Sequence, residues 1–450
     1  MKSNRSLELS IRVEKQMKEG LLGVMGEYFP EERIRRYQEE EGVKRRDRLY
    51  SLSSTVQTMI ATAVQIDKSL EQSVLLFRDV LKSQTKTILD QAEQEKKWVI
   101  DDRKRRGRPR KNIQKIPIAK SKLKDISPST SSYTTARQRV PRELMEILFK
   151  EINAIKGSEI TKDYHWHNRD VFVTDGTYVQ LQDTPEIRKK YRCGRSESGT
   201  SYPQALLSGV IHQGAGIIHE YRLSGRDTSE LDHVMGLMQS LPKGSILLGD
   251  DLYNAYAVFV DARTHGIDIL VPSKRVRNYV TQKVIGPGDE IIMVKAAESS
   301  LKKIRCRAQV PKEPIPKTLL LRRISYTDPQ YPKSPFVLMT TLLDETIDKA
   351  DIVALYASRW DIEISIREIK TIMHINILRS KTDDMIHKEL AASLIAYNLI
   401  RKIILKAVDS TAFSPKADLL YEIYSVDQTL LVDKRGRVFS QISSGRPPKS

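Results

Sequence analysis

The sequence is poor in cysteine and has no long apolar run. Its two cysteines, Cys193 and Cys306, stand in no pairing or metal-ligand pattern. This usage indicates a reducing compartment and argues against a zinc motif. No stretch reaches the roughly eighteen apolar residues that a membrane span needs, and the N-terminus lacks the apolar core of a signal peptide. We therefore expect a cytoplasmic protein that does not span a membrane.

The chain also has fewer acidic residues than basic ones. The 450 residues include 75 Lys and Arg against 57 Asp and Glu, which gives a formal net charge of +18. Residues 103–124 contain many basic residues and no acidic one. A basic excess of this size favours a polyanionic partner, of which nucleic acid is the usual one. A generally basic protein is the alternative from charge alone, but the clustering favours nucleic acid.

The pattern of apolar residues changes along the chain. Residues 55–92 have helical spacing, whereas short apolar runs after residue 165 alternate with helical segments and predict a mixed sheet flanked by helices. We predict six regions: an N-terminal helical region for DNA-end binding or dimerisation (1–102), a basic linker (103–135), the first part of an α/β domain (136–275), a β-rich insertion (276–344), the second part of the α/β domain (345–410) and a C-terminal segment with a basic tail (411–450).

The same pattern locates individual elements. Strands are predicted at 171–174, 205–211, 217–223, 246–248 and 267–271, and in the insertion at 280–284, 290–294, 304–310, 318–324 and 336–341. Helices are predicted at 143–155, 229–241, 253–265, 349–373 and 388–408.

Two aspartates follow predicted strands. Asp175 comes after the run 171–174 and precedes Gly176, and Asp250 comes after 246–248. Carboxylates at strand ends supply the hard oxygen ligands that Mg²⁺ prefers. An ordinary Asp-Gly turn would also explain Asp175, and a helix N-cap would explain either Asp250 or Asp251. Each motif alone is therefore a weak signal.

A third carboxylate belongs to a longer pattern on a predicted helix. At 3.6 residues per turn, four polar side chains fall within about 60° of one another: Tyr356, Arg359, Glu363 and Lys370. An apolar face adjoins them: Leu355, Ile362, Ile366, Ile369 and Met373. A carboxylate between two cations suits a metal site beside DNA phosphates. A solvated amphipathic face with local ion pairs is the alternative.

Taken together, these residues resemble the insertion sequence four family of DDE transposases. The helix matches the family's Y-(2)-R-(3)-E-(6)-K signature from Tyr356 to Lys370. The sequences Asp175-Gly-Thr and Asp250-Asp-Leu-Tyr resemble its two Asp motifs, and the resemblance covers roughly residues 165–408. The family often has Arg after the second Asp, where this chain has Asp251. Spacing to the aromatic residue favours Asp250 over Asp251 as the ligand.

The resemblance implies a ribonuclease-H-like catalytic core interrupted by the β-rich insertion. The implied metal ligands are Asp175, Asp250 and Glu363. They would hold two Mg²⁺ or Mn²⁺ ions, and no small-molecule cofactor is implied. The residues implied to hold DNA are Tyr356, Arg359 and Lys370. The implied reaction is hydrolysis at the element end, followed by attack of a 3′-hydroxyl on target DNA. The implied partners are double-stranded DNA and a second copy of the chain, as a homodimer in a synaptic complex.

A second DNA-binding element is indicated in the basic linker. Residues 105–111 resemble an AT-hook, in which Gly107 allows the backbone to lie deep in a minor groove and Pro109 keeps the chain extended. The Arg side chains that would follow the groove are Arg106, Arg108 and Arg110. A generic basic linker is the alternative. Lys274 and Arg275, just past a predicted core strand, are further candidates for DNA contact.

Two other functions remain open from the sequence. One is a nuclease on the same core that hydrolyses DNA without strand transfer. The other is a DNA-binding protein derived from a transposase, held on AT-rich DNA by its basic linker. The presence of Asp175, Asp250 and Glu363 argues against the second. For a transposase we expect a cytoplasmic protein that is associated with the nucleoid through DNA.

Overall fold

The computed structural model describes residues 28–42, 50–65, 68–77, 130–153, 165–193, 201–274, 278–298, 315–327, 336–359 and 373–408, together with Met25, Leu301 and Ile369. Within these residues, nine strands form one mixed sheet, and helices cover both of its faces. The predicted mixed α/β architecture is thereby confirmed.

The first half of the sheet combines antiparallel and parallel pairing. Its strands are β1 (Val171–Gln180), β2 (Gln204–His212), β3 (Ile218–Gly225), β4 (Ile246–Leu248) and β5 (Asp268–Pro272). They lie in the order β3-β2-β1-β4-β5. The β1–β2 and β2–β3 pairs are antiparallel, whereas β1–β4 and β4–β5 are parallel. The apolar runs of β4 and β5 are buried because helices cover both faces of the sheet here.

The region predicted as a β-rich insertion continues this sheet. Its strands are β6 (Tyr279–Gly286), β7 (Asp289–Lys295), β8 (Thr318–Tyr326) and β9 (Phe336–Thr340). Each of these strands pairs antiparallel with the next one along the chain, and β9 also pairs antiparallel with β5. Four of the five strands predicted in this region are therefore present. The fifth, at 304–310, lies outside the described residues.

The described helices have these bounds: α1 (Glu31–Glu40), α2 (Leu52–Ala63), α3 (Ser131–Gln138), α4 (Arg142–Asn153), α5 (Pro185–Lys190), α6 (Glu230–Met238), α7 (Tyr256–Thr264), α8 (Lys349–Ala357) and α9 (Asp383–Val408). A short 3-10 helix, Asp251–Tyr253, precedes α7. None of the helices in the described ranges has the length and apolar character that crossing a membrane requires.

The two faces of the sheet are covered by different helices. On one face, α6 and α7 contribute Val234, Leu237 and Phe259 to a core shared with the strands. On the other face lies α9, a 26-residue helix whose Leu394 and Leu399 are buried. Since α9 contacts helices α2 and α4 as well as β3, it is covered along most of its length.

The described part of the N-terminal region is helical and belongs to this second core. Val56 and Ile60 of α2 are fully buried in the same cluster as Leu394 of α9. The spacing over 55–92 predicts a helix, but α2 ends at Ala63, and residues 78–92 lie outside the described residues. Helix α2 of the N-terminal region therefore packs on the α/β domain, because α9 covers its apolar side chains.

Candidate active site

One candidate aspartate lies on β1 and the other just after β4, the strand that pairs parallel with β1. The pairing of β1 with β4 ends at Val173 and Leu248, and each aspartate comes two residues later. Asp250 follows the end of β4, as predicted. The prediction that Asp175 ends its strand is wrong, since β1 continues to Gln180. The reason is that β2 goes on pairing with β1 beyond the point where the shorter β4 has ended.

Part of the third motif lies close to Asp175, the aspartate of the first motif. Asp175 Oδ1 accepts a hydrogen bond from the backbone N–H of Gly176 at 2.8 Å. Asp175 also lines a small, mostly apolar cavity together with Ile369. Ile369 is assigned by the sequence to the same helix as Glu363, and it is buried. The segment that carries the third motif therefore reaches the strand that carries Asp175.

Asp250 and Asp251 have different partners. Asp250 is exposed, and its Oδ1 accepts a hydrogen bond from the N–H of Leu252 at 2.9 Å, so that it caps the 3-10 helix. Asp251 Oδ1 accepts a hydrogen bond at 3.0 Å from the backbone N–H of Lys274, just after β5. The Asp251 carboxylate thus holds the chain end of β5, while Asp250 faces solvent at the edge of the sheet. This difference favours Asp250 as the ligand.

The first residue of the third motif contacts the residue that precedes the second motif. Tyr356, near the end of α8, donates a hydrogen bond to the carbonyl oxygen of Gly249 at 3.3 Å. The guanidinium of Arg359 lies 5.6 Å from the centre of the Tyr356 ring. Both side chains were expected on a DNA-facing stripe, but they are only 4% and 6% exposed. Tyr356 is buried because the end of α8 packs against β4 and against Phe336 of β9.

Sequence reasoning named Tyr253 only as the aromatic residue of the second Asp motif and missed its partner, Glu230, behind the two motifs. Tyr253 is buried, and its hydroxyl donates a 2.5 Å hydrogen bond to Oε1 of Glu230, the first residue of α6. Burial raises the pKa of Tyr253 well above its usual value, and the charges of Glu230, Asp175 and Asp250 raise it further. These carboxylates therefore all lie near one phenol.

A signal for this pair is present in the sequence as two glycines. A Cβ on Gly176 would overlap the carboxyl group of Glu230, and a Cβ on Gly249 would lie 2.6 Å from Cδ2 of Tyr253. Glycine inside or next to a strand often marks such a close approach. Each glycine adjoins a candidate catalytic aspartate, so the pair could have been sought from the motifs themselves.

Of the remaining candidate residues, only Lys274 lies in the part of the chain that the structure describes. Lys274 is exposed at the end of β5, near the 3-10 helix. The others lie outside the described residues: Glu363, Lys370, Arg275 and the AT-hook residues Arg106, Gly107, Arg108, Pro109 and Arg110. In the part of the chain that the structure describes, no three His, Cys, Asp or Glu side chains form a group that could hold a metal ion. Asp175 on β1 and Asp250 just after β4 supply hard oxygen donors, which suits Mg²⁺ or Mn²⁺ with a further carboxylate.

A comparison with protein-family models identifies the family of the chain. A family model described as the transposase DDE domain matches residues 166–399, just over half of the chain. The chain is similar to transposase InsG for insertion sequence element IS4 from Escherichia coli (strain K12), with 24% identity over 289 residues, 62% of this chain and 62% of that protein. It thus spans less than two thirds of that relative's length. A cryo-EM structure of the piggyBac transposase synaptic complex with hairpin DNA is similar with a TM-score of 0.40 and 11% identity, over 95% of this chain and 86% of the other.

Proposed function

The chain belongs to the transposase DDE domain family, and from this premise we propose that it is a DNA transposase of an insertion sequence. It would cut the ends of its element and join them to target DNA. The observation that carries this proposal is the convergence of three motifs that lie far apart in the sequence. Tyr356 contacts Gly249, beside Asp250, and Ile369 lines the same cavity as Asp175.

The convergence gives each carboxylate a proposed role. Asp175 on β1, Asp250 just after β4 and Glu363, from the segment that Tyr356 and Ile369 flank, would hold Mg²⁺ or Mn²⁺, with two ions expected. Such ions, when bound, activate the attacking oxygen and stabilise the leaving oxygen in phosphoryl transfer. The order β3-β2-β1-β4-β5 supports assigning these strands to a ribonuclease-H-like core.

The DNA-binding roles follow from charge and position. Lys274 is exposed at the same sheet edge as Asp250, where a phosphate bound at the site would pass. Arg275, Lys370 and the AT-hook-like residues 105–111 would add contacts to the DNA backbone or minor groove. Tyr356, being buried, would act by holding Gly249 at the end of β4, and Arg359, buried beside the Tyr356 ring, would support that tyrosine. The assembly would be a homodimer that joins two element ends, acting in the cytoplasm on the nucleoid.

The proposal is tested by cleavage of a labelled DNA fragment that carries the element's own end. The full chain is incubated with Mg²⁺ or Mn²⁺ beside four variants: Asp175→Asn, Asp250→Asn, Asp251→Asn and Glu363→Gln. We expect metal-dependent end cleavage and strand transfer, lost in all variants except Asp251→Asn, with DNA binding retained. Asp251→Asn is the matched control because its amide oxygen still accepts the hydrogen bond from Lys274.

Two results would redirect the proposal. Cleavage without strand-transfer products, at any metal concentration, would indicate a nuclease on the same core. Binding without cleavage, identical in wild type and all variants, would indicate a DNA-binding protein derived from a transposase.

A further inference from the structure

The pair formed by Glu230 and Tyr253 joins the start of α6 to the second Asp motif, of which Tyr253 is the aromatic residue. Glu230 begins α6, where the capping box of Ser229 and Asp232 fixes the start of the helix. Tyr253 ends the 3-10 helix that Asp250 caps. Their 2.5 Å hydrogen bond therefore connects α6 to the turn that presents Asp250.

The same pair also contacts the strand that presents Asp175. Because side chains alternate along a strand, Asp175 and its neighbour Gly176 face opposite sides of the sheet. Asp175 lines the cavity on the α9 side, whereas the bare Cα of Gly176 accommodates the Glu230 carboxyl group on the α6 side. Glu230 therefore supports β1 from the side of the sheet away from the Asp175 side chain.

A second close contact fixes the other strand in the same way. The ring of Tyr253 covers Gly249, the residue before Asp250, so closely that a Cβ there would lie 2.6 Å from the ring. Tyr253 is only 1% exposed, and its hydroxyl is directed to Glu230. The backbone next to each aspartate is thus held by one member of a single hydrogen-bonded pair.

From this geometry we propose that Glu230 and Tyr253 are positioning residues that set the separation of Asp175 and Asp250. This inference rests on the proposed function, in which the two aspartates share metal ions. Two carboxylates could hold one small cation such as Mg²⁺ only within a narrow range of separations, because its ligand distances are narrowly defined. Loss of the pair would let β1 and the turn after β4 relax independently, which would weaken metal binding before it affected the fold.

The test is Mn²⁺ binding to the full chain without DNA, followed by electron paramagnetic resonance of the free ion. We expect Tyr253→Phe to raise the half-saturating Mn²⁺ concentration by roughly 10-fold or more, the range found when partners of metal ligands are removed. Tyr256→Phe is the matched control, because this nearby buried tyrosine donates its hydrogen bond to Pro316, away from the site. It should leave Mn²⁺ affinity unchanged.

Two further comparisons separate positioning from general stability. Glu230→Ala combined with Tyr253→Phe should weaken Mn²⁺ binding no more than the stronger single variant, because both remove the same hydrogen bond. Gly176→Ala should weaken binding by displacing Glu230. Gly286→Ala, at the end of β6, should not, since a Cβ there would meet no atom within 4 Å.

The outcomes distinguish this inference from the proposed function. Equal Mn²⁺ affinity in Tyr253→Phe and Tyr256→Phe would overturn the positioning role, even if both variants unfold more easily. Tyr253→Phe keeps the ring against Gly249, so the test holds even if Glu230→Ala fails to fold. If wild type and Asp175→Asn bind Mn²⁺ identically, the metal role of Asp175 fails, and the proposed function fails with it.

Discussion

The guanidinium of Arg322 on β8 is fully buried and donates two hydrogen bonds to Asp289 on β7, at 2.8 and 2.6 Å. It also donates to the carbonyl oxygens of Asp344 and Ile347, which precede α8. One arginine therefore joins two strands of the β-rich region to the segment that leads into the Tyr356 helix. The region predicted as an insertion is in this way attached to the candidate site.

Asp289→Ala should lower the free energy of unfolding by about 3–5 kcal/mol, because it leaves a buried guanidinium without its counter-charge. Urea unfolding followed by circular dichroism measures this change. Glu345→Gln is the comparison, since it removes an ion pair with Lys283 whose side chains are 39% and 59% exposed. An exposed pair contributes less than about 1 kcal/mol. Similar losses in both variants would mean that burial of Arg322 has no special energetic role.

Tyr356→Phe should slow end cleavage by about 10-fold, the loss expected for a misplaced supporting group, while leaving DNA affinity unchanged. The hydroxyl is buried and holds Gly249, so its loss should disturb the position of Asp250 rather than a DNA contact. Cleavage rate and filter binding are measured on the same DNA. Tyr178→Phe, at a tyrosine that is 46% exposed, is the control. A loss of DNA affinity at an unchanged cleavage rate would show instead that Tyr356 contacts DNA directly.

His233 predicts a pH dependence of stability. Its ring nitrogens lie 2.9 and 2.7 Å from the hydroxyls of Ser208 and Ser224, and burial, followed by the charge of Arg222, lowers its pKa to about 4. Between pH 6.5 and 4 the unfolded chain therefore binds a proton that the native state does not, so stability falls as the pH falls through this range. Above pH 6.5 the ring is neutral in both the native and the unfolded state, so His233 no longer makes stability depend on pH there.

The variant that tests this is His233→Gln, compared with wild type by urea unfolding from pH 7.5 to pH 4.5. The difference in unfolding free energy between the two proteins should be constant above neutral pH and shrink as the pH is lowered. A difference that stays constant over the whole range would mean that His233 is not the titrating group.

Arg108→Ala should weaken binding to AT-rich DNA and reduce the slope of affinity against salt by about one ion per lost phosphate contact. The reason is that the residues around Arg108 form the AT-hook-like part of a segment without acidic side chains. Fluorescence anisotropy at several salt concentrations measures both quantities. Arg446→Ala, in the Gly-Arg-Pro sequence near the C-terminus, is the comparison. An unchanged slope in Arg108→Ala would remove the AT-hook assignment.

Strand positions could be predicted because they depend on neighbours along the chain. The apolar run Ile246–Leu248 of β4 coincides with the predicted strand, and β8 and β9 lie where alternation and turns placed them. The end of β1 was wrong because pairing beyond Thr174 depends on β2, whose Gly209 and Ser208 continue the ladder opposite Asp175 and Gly176. No pattern within β1 itself contains that information.

The spacing of Tyr356, Arg359, Glu363 and Lys370, and the two Asp motifs before them, determined the family, since such spacing is a property of the linear chain. Only the tertiary structure decided which of these side chains face solvent and what supports them. Tyr356 is buried because the end of α8 packs against Gly249, just after β4, and against Phe336 of β9. Glu230 reaches the Asp motifs because α6 packs on β2 and β3, next to β1, although 23 residues separate it from its partner Tyr253. Burial and hydrogen bonding depend on which distant segments meet, and periodicity along one segment does not specify that.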